Sequence, residues 1–173
     1  MKFIRKEDDM NETYVEVLVK RKTPIIMSFL KILTIMIAVC FVLLGAVFGP
    51  AIIIGVVMGI AAYFIYLNAD VEYEYLYVDR ELTVDKIMAK SKRKRIASFD
   101  MGKMEVLAPI NSHQLDSYKN RKVKVVDFSS GEVTQPDKRF AFFYDGTTQV
   151  IIEPNGELIK AITMIAPRKV FKD

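Results

Sequence analysis

The chain has 173 residues, 51% of them hydrophobic and 27% charged, and its formal net charge is +4. So small a surplus argues against a dedicated nucleic-acid binder, and a single cysteine, Cys40, excludes an internal disulfide. No charge falls between Lys31 and Asp70, so the composition divides into one very apolar stretch and one ordinary soluble portion.

Residues 1–23 form an N-terminal segment. Within it YVEVLVKRK (14–22) alternates, with Val15, Val17 and Val19 in phase. Its Val and Tyr content favours a strand over 13–21 that pairs with the edge of the later domain, against an amphipathic segment lying at an interface.

Residues 24–69 read as a transmembrane helical hairpin. ILTIMIAVCFVLLGAVF (32–48) and AIIIGVVMGIAAYFIYL (51–67) are uncharged and separated only by Gly49-Pro50. Seventeen residues at 1.5 Å rise reach roughly 26 Å, close to the hydrocarbon thickness of a bilayer, and Ile25 to Leu30 extend the first helix. Lys31 then snorkels along its methylene stem. A soluble helix would show a polar stripe, and a cleaved leader would not be followed at once by a second apolar segment. A turn at 49–50 places both charged flanks on one side. Lys20, Arg21 and Lys22 precede the first helix, and positive residues near helix ends are retained in the cytoplasm. The expectation is a two-helix protein of the inner (plasma) membrane with both termini cytoplasmic. Gly45 with Gly49, and Gly55 with Gly59, form small-residue pairs four apart, with Gly45 and Gly55 expected at similar depth. They suit close packing within the hairpin or a seam with a second helix.

From residue 70 to 173 the period changes to two. VEYEYLYV places Tyr73, Tyr75 and Tyr77 on one face, and Asp79-Arg80-Glu81 makes a turn into LTVDKIM. IASFD, MEVLAP, KVKVVDF (122–128), RFAFFY and TQVIIE continue the series, and Asp145-Gly146 is a hairpin turn. Asn111 to Asn120 is a polar loop or short helix. Asn155 is an N-cap, Leu158, Ile162, Ile165 and Ala166 form one apolar stripe over a helix at 156–166, and Pro167 ends it. About seven short strands and one closing helix define a mainly-β (α+β) domain, a small barrel or curved sheet with the helix over one open end.

The hairpin, the stretch YEYLYVDRELTVDKIMAKSKRKRIASFDM and the terminal APRKVF together resemble an uncharacterised family of small bacterial membrane proteins, a domain of unknown function. More loosely, the chain is similar to bacterial pleckstrin-homology-like (PH-like) domains tethered by a helix pair. The resemblance covers roughly 11–173. It implies a PH-like barrel with a C-terminal capping helix and supplies no catalytic residues.

The residues themselves offer no catalytic, cofactor or metal motif. His113 is the only histidine and reads as a surface residue in a polar loop without a partner for a metal or a proton relay. No Gly-rich phosphate loop and no nucleophile elbow occurs. Asp79, Glu81 and Asp85 read as solvated or paired with Arg80 and Lys86.

Five basic residues crowd into one run: Lys90, Lys92, Arg93, Lys94 and Arg95. Strict alternation would send them to both faces of a sheet, so the centre of the run is expected to be a bend or an exposed ribbon between a strand ending near Met88 and one restarting at Ile96. It is either a solvated hairpin, a contact for anionic lipid headgroups, or a contact for an acidic partner. The absence of interleaved aromatics argues against nucleic acid. The function expected is a non-enzymatic, membrane-anchored interaction or scaffold module. The alternative is an accessory subunit of a larger transporter or secretion assembly, or a homodimer, packing through Gly45, Gly49, Gly55 and Gly59.

Overall fold

The computed structural model describes residues 14–172. The parts of the expected N-terminal segment and strand at 1–13 lie outside the described residues. Strand β1 (Val15–Lys20) leads into helix α1 (Ile25–Leu44), and a tight turn connects α1 to α2 (Ala51–Ala69). Pro24, with φ of −57°, precedes the first helical residue, where its missing N–H costs nothing. Twenty residues make α1 about 30 Å long. Its one buried polar side chain, Thr34, returns its hydroxyl to the Leu30 carbonyl at 2.8 Å.

The first helix ends earlier than the apolar run suggests. It stops at Leu44, and the turn takes Gly45 to Pro50 instead of Gly49-Pro50 alone. Val47 and Phe48 donate their amides to the Leu44 carbonyl at 3.0 and 2.8 Å. Antiparallel helices sit roughly 8–10 Å apart, a gap that two residues do not bridge, so the last apolar residues unwind into the connection. Large apolar side chains point outward all round the hairpin, among them Ile26, Phe29, Leu43, Ile53 and Phe64. An apolar surface so extensive belongs against lipid or protein, not water.

Beyond the hairpin come β2 (Val71–Val78), β3 (Glu81–Met88), β4 (Lys92–Asp100), β5 (Met104–Pro109), β6 (Lys124–Asp127), β7 (Phe140–Tyr144), β8 (Thr148–Ile152) and α3 (Gly156–Ile165). The strands form two four-stranded sheets, β1-β2-β3-β4 and β5-β7-β8-β6. All ladders are antiparallel except β6 against β8. Asp79 and Arg80 (φ 47° and 71°), like Asp145 and Gly146 (51° and 66°), take the paired positive φ that tight hairpins need. Seven strands after the hairpin meet the expected content, but they do not close into one barrel. The chain turns from β4 into β5 through a 3-10 turn at Met101–Lys103 with no ladder between the two strands, so the sheets face each other as a sandwich-like pair.

The tyrosine face of β2 supplies the core. Tyr75 and Tyr77 are fully buried with Leu82, Val84, Leu107 and Phe142, and α3 adds Leu158, Ala161 and Ile162. Tyr75 donates its hydroxyl to the Phe128 carbonyl at 2.7 Å and accepts the Glu153 amide at 3.3 Å, so its burial leaves no polar group unpaired. Burial pushes this phenol well above its ordinary range. Asn155 caps α3, its side-chain oxygen accepting the Leu158 amide at 2.8 Å. The tail then bridges Val170 to Leu107 and covers the open edge of β5.

Candidate functional site at the elbow between hairpin and sheet

Only Asp70 separates α2 from β2, and only Arg21 to Pro24 separate β1 from α1. Because β1 and β2 are themselves paired, with Lys20 opposite Glu72, the two helices run directly into one sheet. Short bonds lock this elbow. The Arg21 amide donates to Val71 at 2.9 Å, the Thr23 hydroxyl to Ala69 at 2.6 Å, and Lys20 lies 3.5 Å from Asp70.

The β3–β4 hairpin returns to this elbow. Its turn lies at Ala89 to Ser91, with Ala89 and Lys90 at positive φ (46° and 54°) and the Ser91 amide donating to Met88 at 3.1 Å. The Ala89 amide donates to the Asp70 carbonyl at 2.7 Å. The turn therefore sits beside the end of α2. Lys92 places its ammonium 5.4 Å from the Tyr63 ring centroid on that helix, and Lys31 sits 4.4 Å from Tyr66. Both are cation–π contacts at the same end of the hairpin.

Of the two expected forms, a bend or an exposed ribbon, the run takes the second, and the bend is confined to Ala89 to Ser91. Strand β4 begins at Lys92, and Lys92 to Arg95 are strand residues opposite Met88 to Asp85. Alternation is tolerated because this end of the strand overhangs the core. Lys92 to Ile96 are exposed, and the core resumes only at Phe99. A register shift leaves Ile96 unpaired between Arg95 and Ala97.

The five residues divide by what they touch. Arg93 bridges Asp85 at 2.6 Å and the Glu74 carboxylate, and Arg95 lies 3.7 Å from the other Asp85 oxygen. Glu74 and Asp85 are buried on the outer face of the first sheet, so the guanidinium groups offset charge that water no longer solvates. Asp85 is therefore neither solvated nor paired with Lys86. Burial, helped by a hydrogen bond with Glu16, still holds the Glu74 carboxyl above its ordinary range against the pull of Arg93. Lys90 and Lys94 have no carboxylate within ion-pair distance among the described residues and extend from the hairpin.

The glycines also separate. A Cβ on Gly55 would lie 2.9 Å from the Val42 amide nitrogen, and one on Gly45 would lie 2.9 Å from that of Ile52. These two sit in the seam between α1 and α2, each against the opposite helix and not opposite one another. Gly49 and Gly59 face open space. His113 is fully exposed, 3.4 Å from Asp116. Among the described residues no group of three or more His, Cys, Asp or Glu is arranged to hold a metal ion.

Tyr63, Tyr66 and Glu74 escaped the sequence reading as members of this elbow. The tyrosines carried a usable signal, being the polar-tipped aromatics near the end of an otherwise apolar helix. The pairing of Glu74 with Arg93 carried none, because it depends on the register of three strands.

Among the described residues, two apolar helices long enough to cross a membrane, continued by a β domain of two sheets and a closing helix, define a sandwich-like β module on a helical hairpin. A family model described as bacterial PH-like domain (DUF6106) matches residues 11–172, and the chain belongs to that family. No curated protein and no solved structure matches it.

Proposed function

We propose that the chain crosses the cytoplasmic membrane as a two-helix hairpin with both termini inside, and carries its PH-like domain as a non-enzymatic interaction module. The β3–β4 hairpin touches anionic lipid headgroups through Lys90, Lys92 and Lys94. The observation that carries this reading is the position of the hairpin turn beside the end of α2, with Ala89 bonded to Asp70 and Lys92 against Tyr63. Tyrosine and lysine gather at the level of headgroups, and each basic residue near an anionic leaflet contributes about 1 kcal/mol.

The test uses the full chain in nanodiscs of phosphatidylcholine, with and without phosphatidylglycerol, read by amide hydrogen exchange of residues 88–96. Exchange is expected to slow in the anionic membrane, to recover at high salt, and to lose the difference in a Lys90→Gln/Lys92→Gln/Lys94→Gln variant. Equal exchange in both membranes refutes lipid contact.

A second reading is an accessory subunit of a larger membrane complex, or a homodimer. It is favoured by the open surface at Gly49 and Gly59, which the hairpin itself leaves unused. A stoichiometric partner retained on purification from native membranes supports it, and a lone monomer refutes it.

A further inference from the structure

On the inner side of the elbow, between the start of α1, the end of α2 and strand β3, lies a cleft of about 350 Å³. Arg21, Lys22 and Lys86 converge on it from two separate segments, the β1–α1 connection and β3. None of its described lining residues is acidic, and Pro24, Met27 and Val71 give it an apolar wall. Each cation is differently held. Arg21 donates to the Tyr73 hydroxyl at 2.6 Å and lies over that ring, which fixes the guanidinium and leaves most of its donors open. Lys22 has an exposed partner, Glu132 at 3.0 Å, a pair of little worth that an entering anion can displace. Lys86 has no carboxylate at ion-pair distance among the described residues, and its ladder partners are Tyr73 and Lys94. Arg21 and Lys86 thus line the cleft with no carboxylate at ion-pair distance among the described residues, Lys22 adds a charge held only by its exposed pair, and the excess of positive charge favours an anion.

We infer that this cleft binds one phosphate ester, the headgroup phosphate of a membrane lipid, between Arg21, Lys22 and Lys86. The inference rests on the membrane reading above, which puts the elbow at headgroup depth. The cationic rim takes the phosphate, and the wall of Pro24, Met27 and Val71 takes the glycerol and first acyl carbons. The volume fits one headgroup and falls at the small end of ordinary ligand sites. The site differs from the hairpin contact in kind: the hairpin meets a charged surface, whereas the cleft holds a single molecule.

The test uses the full chain in a neutral detergent, with binding followed by native mass spectrometry. The probes, in separate arms, are dioctanoyl phosphatidylglycerol, glycerol 3-phosphate and inorganic phosphate. Saturable binding of one short-chain lipid per chain is expected, weakened at least about tenfold in Lys22→Gln/Lys86→Gln. Lys86→Arg, which keeps the charge, should bind as wild type. The Lys90→Gln/Lys92→Gln variant, which keeps Lys94 opposite Lys86, should also bind normally, which separates failure of the cleft from failure of the hairpin contact. Unchanged lipid affinity in Lys22→Gln/Lys86→Gln, with a folded chain by thermal unfolding, overturns the site. Glycerol 3-phosphate binding as tightly as the lipid overturns the lipid assignment and makes the ligand a soluble phosphate ester.

Discussion

Lys92 holds its ammonium 5.4 Å from the ring of Tyr63, so the tip of the β3–β4 hairpin and the flank of α2 stand side by side. The opposite end of the same hairpin, at Arg80, is eight strand residues away, about 26 Å at the usual rise. In a Cys40→Ser background, a spin label on Ser91→Cys should therefore report headgroup depth. A label on Arg80→Cys should report bulk water. Equal water accessibility at both sites contradicts the proposed orientation.

Arg93 and Lys94 are neighbours with unequal tasks. Arg93→Gln leaves Glu74 and Asp85 buried without their counter-charge and is expected to cost about 2 kcal/mol. Lys94→Gln removes an exposed charge and should stay within about 0.5 kcal/mol. Chemical unfolding of the two variants in the same detergent decides this, and similar losses would contradict the division of the basic run.

Close approach of the two helices depends on Gly45 and Gly55. Gly55→Ala forces its new methyl against the Val42 backbone and is expected to destabilise by about 1–3 kcal/mol. Gly59→Ala meets open space and should be neutral in detergent. If Gly59→Ala alone lowers the apparent molecular mass in native membranes, the unused surface serves a second chain.

Two carboxyls give opposite pH signatures. The Asp137 carboxylate accepts Arg139 at 2.7 and 3.0 Å, and these bonds hold its pKa below the ordinary range. Its contribution is complete above the unfolded pKa and is lost as pH falls through the folded one. Asp137→Asn should lower Tm by about 2–4 °C at pH 7 and by progressively less in acid. Glu74 is held above its ordinary range by burial, so its contribution is complete below that range and is lost as pH rises through the raised value. Glu74→Gln should match wild type near pH 4 and exceed its Tm at pH 8. The same pH trend in both variants would contradict these environments.

Hydropathy made the hairpin legible in the sequence, period two most of the strands, and helical spacing with an N-cap α3, because each is a local pattern. The turns at Asp79-Arg80 and Asp145-Gly146 were legible for the same reason. The parallel pairing of β6 with β8 and the separation of the two sheets depend on distant partners and left no local trace. The basic run shows the limit most clearly. Alternation excluded a core strand at Lys92 to Arg95 and left a bend or an exposed ribbon, and it could not choose between them because the choice depends on where the core ends beneath the sheet. Its charges were visible, but not the fact that Arg93 and Arg95 are engaged by Asp85 while Lys92 leans on a tyrosine.

The single-residue connection at Asp70 has a mechanical consequence. Swivelling the β domain about that point strains the contacts that cross it, the Thr23–Ala69 and Ala89–Asp70 bonds and the packing of Lys92 on Tyr63. The helices and the first sheet therefore behave as one rigid lever. With the hairpin inserted as proposed, a change in its tilt would be carried into the first sheet instead of being absorbed at a loose joint, and the domain's distance from the lipid surface would follow.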